Sequence, residues 1–276
     1  MKTLKFAFLS LSIAASSGIS AQQNYEDHTY SKDAVKDRQV VPYPHLREAD
    51  VAYQKRIERI IDSREKQNVV LNWPRNHFGT LIYKNVLEGN LPAYRNDSLF
   101  SIYTSEEVQE RGVVKEPTQI VDPNNPDDPY ALIDTTITTP FDPVKIIKWR
   151  IMEDWIFDKK HSTMIVRIIA IAPMYKPNIG GVELPEQPLF WIKYDEARKI
   201  LVNQELFNRN NDASRISLDH FFQKRMFSSY VIKKSNEFDY ALSDYDEFKD
   251  NGLALLQESE KIKNELFIME HDLWEY

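Results

Sequence analysis

Histidine, cysteine and acidic residues are the side chains most able to carry acid–base, metal or nucleophilic chemistry, and here they form no recognisable constellation. The six His residues are scattered, and no two have the i, i+2 or i, i+4 spacing of a preset metal pair. There is no Cys, which excludes disulfides, thiolate nucleophiles and Cys-ligated zinc or iron–sulfur clusters. A nucleophile elbow, an HExxH helix, a P-loop and a dinucleotide fingerprint are also missing. The sequence therefore predicts no catalytic residue, no cofactor and no metal.

Three small groups of polar residues could still suggest acid–base chemistry. Glu153 and Asp154, with Asp158 nearby, resemble the paired carboxylates of a glycosidase. Because they flank a predicted hairpin turn, we interpret them as solvated strand ends. We interpret His220 as a half-buried structural His. We interpret residues 270–272 (EHD) as the polar face of the last helical turn. None of the three groups is predicted to be catalytic.

Four aromatic residues, Trp149, Trp155, Trp191 and Tyr194, could line a ligand groove. They lie in predicted strands with alternating neighbours, where large aromatic residues more often belong to the core. We therefore predict core positions for them and keep the groove as an alternative.

Composition indicates a globular chain with an acidic C-terminal end. Its 276 residues are 42% hydrophobic and 12% aromatic, enough for one sizeable core or two small ones. The net charge is −7, from 35 Lys and Arg against 42 Asp and Glu, so the basic footprint of a nucleic-acid-binding protein is absent. Residues 237–276 alone carry 12 acids and 3 bases. This end could dock a basic partner, although a solvated helix face is the simpler interpretation.

The first 21 residues have the order of a secretory signal peptide. Lys2 and Lys5 precede an apolar stretch at 6–15, and small residues follow up to Ala21. The stretch is too short for a membrane span, which takes about 20 residues. We therefore expect an exported chain that begins near Gln22, with no lipoprotein anchor of its own because that anchor needs a Cys.

Apolar spacing predicts a helix within residues 47–64. Tyr53, Ile57, Ile60 and Ile61 form one stripe at helical spacing, between a polar lead and segments that contain Pro. An exposed stripe of this kind often marks an interaction site. These four residues are therefore candidates for an interaction surface.

Capping signals and prolines divide the residues that follow. A second helix is predicted at 78–87, and a capping box of Thr104 and Glu107 predicts the start of a third. Residues 116–143 contain six Pro and are predicted to be a surface loop or linker.

The C-terminal part carries the strand signals. Strands are predicted at 144–157, 162–172, 189–194 and 230–232, with a hairpin turn between the first two. Helices are predicted from Asp195 to 206 or 207 and from Ser217. The fold class is therefore α+β: an N-terminal helical arm and small helical part, then a mostly antiparallel sheet packed by several helices. The predicted divisions are 1–21 signal peptide, 22–72 arm with helix, 73–115 small helical subdomain, 116–143 Pro-rich loop and 144–276 α+β core.

The longest predicted helix, residues 252–273, ends the chain. Its apolar stripe has gaps of three and four residues and consists of Leu256, Ser259, Ile262, Leu266, Met269 and Leu273. Trp274 and Tyr276 follow it, and such large residues at a chain end indicate packing against the core or a partner. We add both to the candidate interaction surface.

Six short stretches resemble, in the same order, the gliding motility protein N family (GldN/PorN) of the type IX secretion system of Bacteroidetes. They are 57–68 (IERIIDSREKQN), 153–162 (EDWIFDKKHS), 168–173 (IIAIAP), 188–194 (PLFWIKY), 225–230 (RMFSSY) and 270–276 (EHDLWEY). The Pro-rich segment lies outside them.

The resemblance implies a periplasmic, non-enzymatic structural and coupling subunit. It implies a ring formed with an outer-membrane lipoprotein of the PorK/GldK type. It also implies contact with the periplasmic part of an inner-membrane motor component of the PorM/GldM type, and no catalytic residues. The alternative is a periplasmic glycan- or peptide-binding protein or hydrolase that uses the aromatic groove.

Overall fold

A curled, mostly antiparallel sheet is the framework of this computed structural model, which describes residues 35–121, 132–179, 182–211, 213–249 and 251–272. The α+β prediction is confirmed. The strands are β1 (Val51–Asp62), β2 (Val114–Val121), β3 (Leu132–Thr139), β4 (Lys148–Asp158), β5 (Thr163–Tyr175), β6 (Asn178–Ile179), β7 (Val182–Glu183), β8 (Gln187–Pro188), β9 (Ile192–Lys193), β10 (Glu205–Leu206), β11 (Ile216–Ser217) and β12 (Tyr230–Lys234). The helices within these residues are α1 (Phe78–Leu87), α2 (Ser105–Arg111), α3 (Tyr194–Leu201), α4 (Leu218–Gln223) and α5 (Gly252–Asp272).

The main sheet has the strand order β12-β1-β4-β5-β8, and β9 also pairs with β5. All of these pairings are antiparallel. The predicted hairpin is confirmed as β4 and β5, whose register runs from Asp158 opposite Thr163 to Lys148 opposite Met174. The predicted signal peptide lies outside the described residues.

The helix predicted at 47–64 is wrong, because this segment forms β1. Ile57, Arg59 and Ile61 alternate along the strand and share one face. Ile57 and Ile61 are four residues apart, a spacing that fits one face of a helix as well as one face of a strand. Ile is β-branched and favours strands. β1 pairs with β4 along one side and with β12 along the other, which places it inside the sheet and not in an arm.

Helices α1, α3 and α4 cover one half of this face of the sheet. The rings of Phe78 in α1 and Trp149 in β4 are 4.2 Å apart, and Phe222 in α4 lies 5.3 Å from Phe78. The predicted α1 and the capping box at Thr104 are confirmed. The helix predicted from Asp195 begins at Tyr194 and ends earlier than predicted, because 205–206 pairs with β11 instead.

Helix α5 covers the other half of the face, over β1 and β12. Ile262 and Leu266 pack with Ile57 and Val231, and the Ser259 hydroxyl accepts a 2.7 Å hydrogen bond from the Val231 amide. The predicted stripe is confirmed in its middle. Its first member is not buried: Leu256 is 49% exposed, and its neighbour Leu255 packs against the cluster instead. The stripe's last residue, Leu273, lies outside the described residues.

A buried ion pair lies between these two halves. Glu153 is 0% exposed, and its carboxylate accepts hydrogen bonds from Arg225 at 2.7 Å and from the Trp155 indole at 3.2 Å. Arg59 lies on the same face and donates to Ser229 Oγ at 2.8 Å. Burial lowers the pKa of the Arg59 guanidinium. The interpretation of Glu153 as a solvated strand end is therefore wrong.

The loop predicted at 116–143 contains strands. β2 pairs with β3 from Val114 opposite Thr139 to Val121 opposite Leu132, and β2 also meets β6. The Thr-rich sequence of β3 has a high strand propensity, which outweighs the flanking prolines. Residues 122–131, which hold three of the six Pro, lie outside the described residues.

We predict that Gly79→Ala destabilises the fold, although Ala is the better helix former by about 1 kcal/mol. A Cβ at this position of α1 would lie 2.5 Å from the Pro143 carbonyl oxygen, which is backbone and cannot move away cheaply. We expect urea unfolding to show a loss of about 1–3 kcal/mol, the usual cost of overpacking. Gly252→Ala is the control, because its Cβ would meet nothing within 4 Å. A Gly79→Ala protein as stable as the parent would contradict the α1 packing.

We predict that Arg225→Met costs about 3 kcal/mol of unfolding free energy. The variant leaves the buried Glu153 charge without its partner. Breaking a buried ion pair costs about 3–5 kcal/mol, and we expect the lower value because the Arg225 side chain is 29% exposed. Adding Glu153→Gln should recover part of the loss, because Gln is neutral and keeps an acceptor for Trp155. Additive losses in the double variant, measured by urea unfolding, would argue against this ion pair.

Candidate functional site

The predicted interaction residues of the N-terminal segment are mostly buried. Ile57 and Ile61 are 0% exposed, Ile60 is 5% exposed, and Tyr53 is half-buried in β1. The three Ile side chains therefore contribute to the core and present no exposed stripe. Trp274 and Tyr276, the other two candidates, lie outside the described residues.

The four aromatic candidates for a ligand groove occupy the core. Trp149, Trp191 and Tyr194 are at most 3% exposed, and Trp155 is partly buried beside the α5 cluster. Their predicted core positions are confirmed.

The other acidic candidates are occupied by ion pairs. Both carboxylate oxygens of Asp154 accept hydrogen bonds from Arg56, at 2.7 and 2.9 Å, and Asp154 is 6% exposed. Asp158 binds His161 Nδ1, and this hydrogen bond lowers the pKa of the Asp158 carboxyl. Neither is a solvated strand end, and His220, predicted to be half-buried, is exposed on α4.

One buried polar cluster joins α3 and α4 to the segment before β1. Asp219 accepts from the Tyr194 phenol and from Arg198 Nε, each at 2.9 Å, and Gln223 donates to the Tyr43 hydroxyl at 2.6 Å. Burial, and then the Asp219 charge, raise the pKa of the Tyr194 phenol, so it remains a donor. The cluster is satisfied by its own members and positions the chain around Tyr43. In the described part of the chain, no group of three His, Asp or Glu side chains could hold a metal ion.

Three exposed surfaces of the described residues are suited to binding, and the first is the outward side of α5. We call it the α5 outer face, and it consists of Leu253, Leu256, Phe267 and Ile268, which are 49–68% exposed. A shallow groove of about 580 Å³ runs along it past Glu260, Lys261 and Glu265. The helix thus has an unpartnered apolar side opposite the side that packs on the sheet.

The second surface is the aromatic loop, residues 236–248, between β12 and α5. Asn236 organises it: its side-chain oxygen accepts from the amides of Phe238 and Tyr240, and its amide group donates to two backbone carbonyls. The rings of Phe238, Tyr240, Tyr245 and Phe248 follow one another with centroid separations of 5.6, 5.9 and 6.4 Å. Phe238 is 68% exposed, so this ordered loop presents aromatic surface to solvent.

The third surface is the basic cleft, a cavity of about 650 Å³ at one end of the main sheet. Its apolar lining includes Phe141, Tyr175 and Leu184. Its charged lining residues are Arg64, Arg111, Lys145, Lys148 and Lys176, against Glu110, Asp142 and Glu186. The cleft therefore combines an apolar lining with an excess of positive charge.

Sequence patterns could have indicated one of these surfaces. Aromatic and acidic residues alternate in 237–248, which is unusual for a simple connection. The basic cleft has no such signal, because it assembles residues from the ends of β1, β4 and β5 with residues of α2 and β8.

Comparison with known proteins identifies a family for this chain. The family model described as gliding motility associated protein GldN matches residues 46–275, from just before β1 to the C-terminal end. None of the curated proteins compared with the chain matches it. Among the described helices, none has the length and apolar character needed to cross a membrane. The match covers most of the sequence, and the chain belongs to the GldN family of gliding motility associated proteins.

Proposed function

We propose that the chain is a periplasmic structural and coupling subunit of the type IX protein secretion and gliding motility machinery. Membership of the GldN family over residues 46–275 is the observation that carries this proposal. The family is described by gliding motility and not by a reaction. The secretory order of the first 21 residues supports the periplasmic location.

The proposed partners are those of the resemblance. The subunit forms a ring with an outer-membrane lipoprotein of the PorK/GldK type, through which it associates with the outer membrane, and contacts the periplasmic region of a PorM/GldM-type component. The binding or hydrolase alternative is not favoured, because Trp149, Trp191 and Tyr194 are buried and do not line a groove.

The α5 outer face is the surface proposed for the lipoprotein. Leu253 and Phe267 are 68% and 67% exposed although they belong to a helix that is well packed on its other side. Covering one such side chain is worth about 1.5–3 kcal/mol, so four of them can supply much of the energy of a specific contact.

We predict that cells lacking this chain stop gliding and secreting, and that Leu256→Asp/Ile268→Asp does not restore either activity. Both side chains are about half exposed, so the fold should be retained while the lipoprotein no longer co-purifies with the chain. Co-purification, gliding and secretion are measured for each variant.

Phe100→Asp is the matched control. Phe100 is 88% exposed and lies outside α5, so this variant should bind and complement like the parent. Normal gliding and secretion in cells without the chain would refute the proposed function. Full binding by the α5 variant would refute only the choice of surface.

A further inference from the structure

The aromatic loop and the basic cleft carry opposite charges, and each exposes apolar surface. The loop segment 236–248 contains five acids and no base, and Glu237, Asp246 and Glu247 are exposed without an ion pair to any described residue. In the cleft, Lys145 and Lys176 are exposed and likewise have no carboxylate partner among the described residues. Unpaired charges of opposite sign therefore border both surfaces.

The two surfaces also match in their apolar parts. The loop presents Phe238 and Tyr240, which are 68% and 48% exposed. The cleft offers Phe141, Tyr175 and Leu184 along a cavity of about 650 Å³, a size typical of sites that take large apolar groups. Interfaces commonly place aromatic anchors of this kind in a pocket with a polar rim.

The sheet keeps the two surfaces apart within one chain. The loop leaves β12 after Lys234, which lies opposite Ile57 of β1, whereas the cleft begins beside Lys148, which lies opposite Asp62. Five residues of β1 separate these levels, roughly 17 Å along the strand. β12 and β8 are also at opposite edges of the main sheet. The loop of one copy is therefore held away from its own cleft, and the cleft it can contact is that of a second copy.

We propose that the aromatic loop of one copy docks into the basic cleft of the next copy of this chain. The contact is head-to-tail: each copy uses two different surfaces, so association continues from copy to copy and closes into a ring if the rotation permits. This inference rests on the proposed function in one respect, that a ring subunit needs such a contact. The complementary charges set the register, and the aromatic side chains fill the cavity.

Site-directed crosslinking tests the contact, because the chain has no Cys that would react elsewhere. Glu247→Cys places a thiol in the loop, and Lys176→Cys places one at the cleft. A mixture of the two single variants, treated with a short bismaleimide, should give a heterodimer of one copy of each. The double variant should give a ladder of larger species, because every copy then has both thiols.

Two further variants separate the contact from chance collisions. Asn210→Cys, at an exposed position outside both surfaces, replaces Lys176→Cys as the matched control and should crosslink at least ten-fold less. Lys145→Glu should reduce the loop-to-cleft yield at least five-fold, and Asp246→Lys on the other copy should restore it. High salt should lower the crosslinking yield between Glu247→Cys and Lys176→Cys when neither copy carries a charge reversal.

Equal yields from the cleft and control positions, or a charge swap without recovery, would overturn the proposal. Crosslinked dimers from Glu247→Cys alone would indicate a symmetric contact and would overturn it as well. These measurements use the purified chain, so their failure leaves the gliding and secretion test of the proposed function intact.

Discussion

The backbone of β1 needs hydrogen-bond partners along both of its sides, and this constraint determines where the other elements can lie. β4 satisfies one side over almost the whole length of β1, and β12 satisfies part of the other. With Ile57 and Ile61 buried on one face, that face must be covered at both ends. Helices α1, α3 and α4 cover one end and α5 covers the other, so β1 contributes Ile61 to one apolar cluster and Ile57 to the other.

Charged side chains in the sheet are compatible with this burial because they pair across strands. Arg225 neutralises Glu153 between the two apolar clusters, and on the opposite face Arg150 binds Glu58 at 2.5 Å. Each of these two buried carboxylates is therefore held by an Arg partner. What remains for binding is at the periphery: the α5 outer face, the aromatic loop and the basic cleft. Several separate surfaces of this kind suit the coupling role proposed for the chain.

Local signals in the sequence predicted the elements that depend on local physics. The capping box at Thr104, the helix α1 and the β4–β5 hairpin follow from spacing and turn chemistry, and all three are present. β1 was missed because Ile57 and Ile61 satisfy both helical and strand periodicity, and the strands on either side of it are remote in sequence. The cleft was missed for the same reason, since five separate segments build it. The aromatic loop has alternating aromatic and acidic residues, but the hydrogen bonds of Asn236 that organise it cannot be inferred from residue spacing.

Hydrogen exchange at the amides of residues 55–62 tests the position of β1 most directly. An interior strand paired on both sides should exchange slowly, with protection close to that of β4 and lost only on global unfolding. Exchange should slow further along the part of β1 that pairs with both neighbours, Ile57 to Ile60. Exchange of these amides within seconds in the native protein, while β4 and β5 stay protected, would contradict the fold. It would indicate that this segment is an exposed arm and not an interior strand.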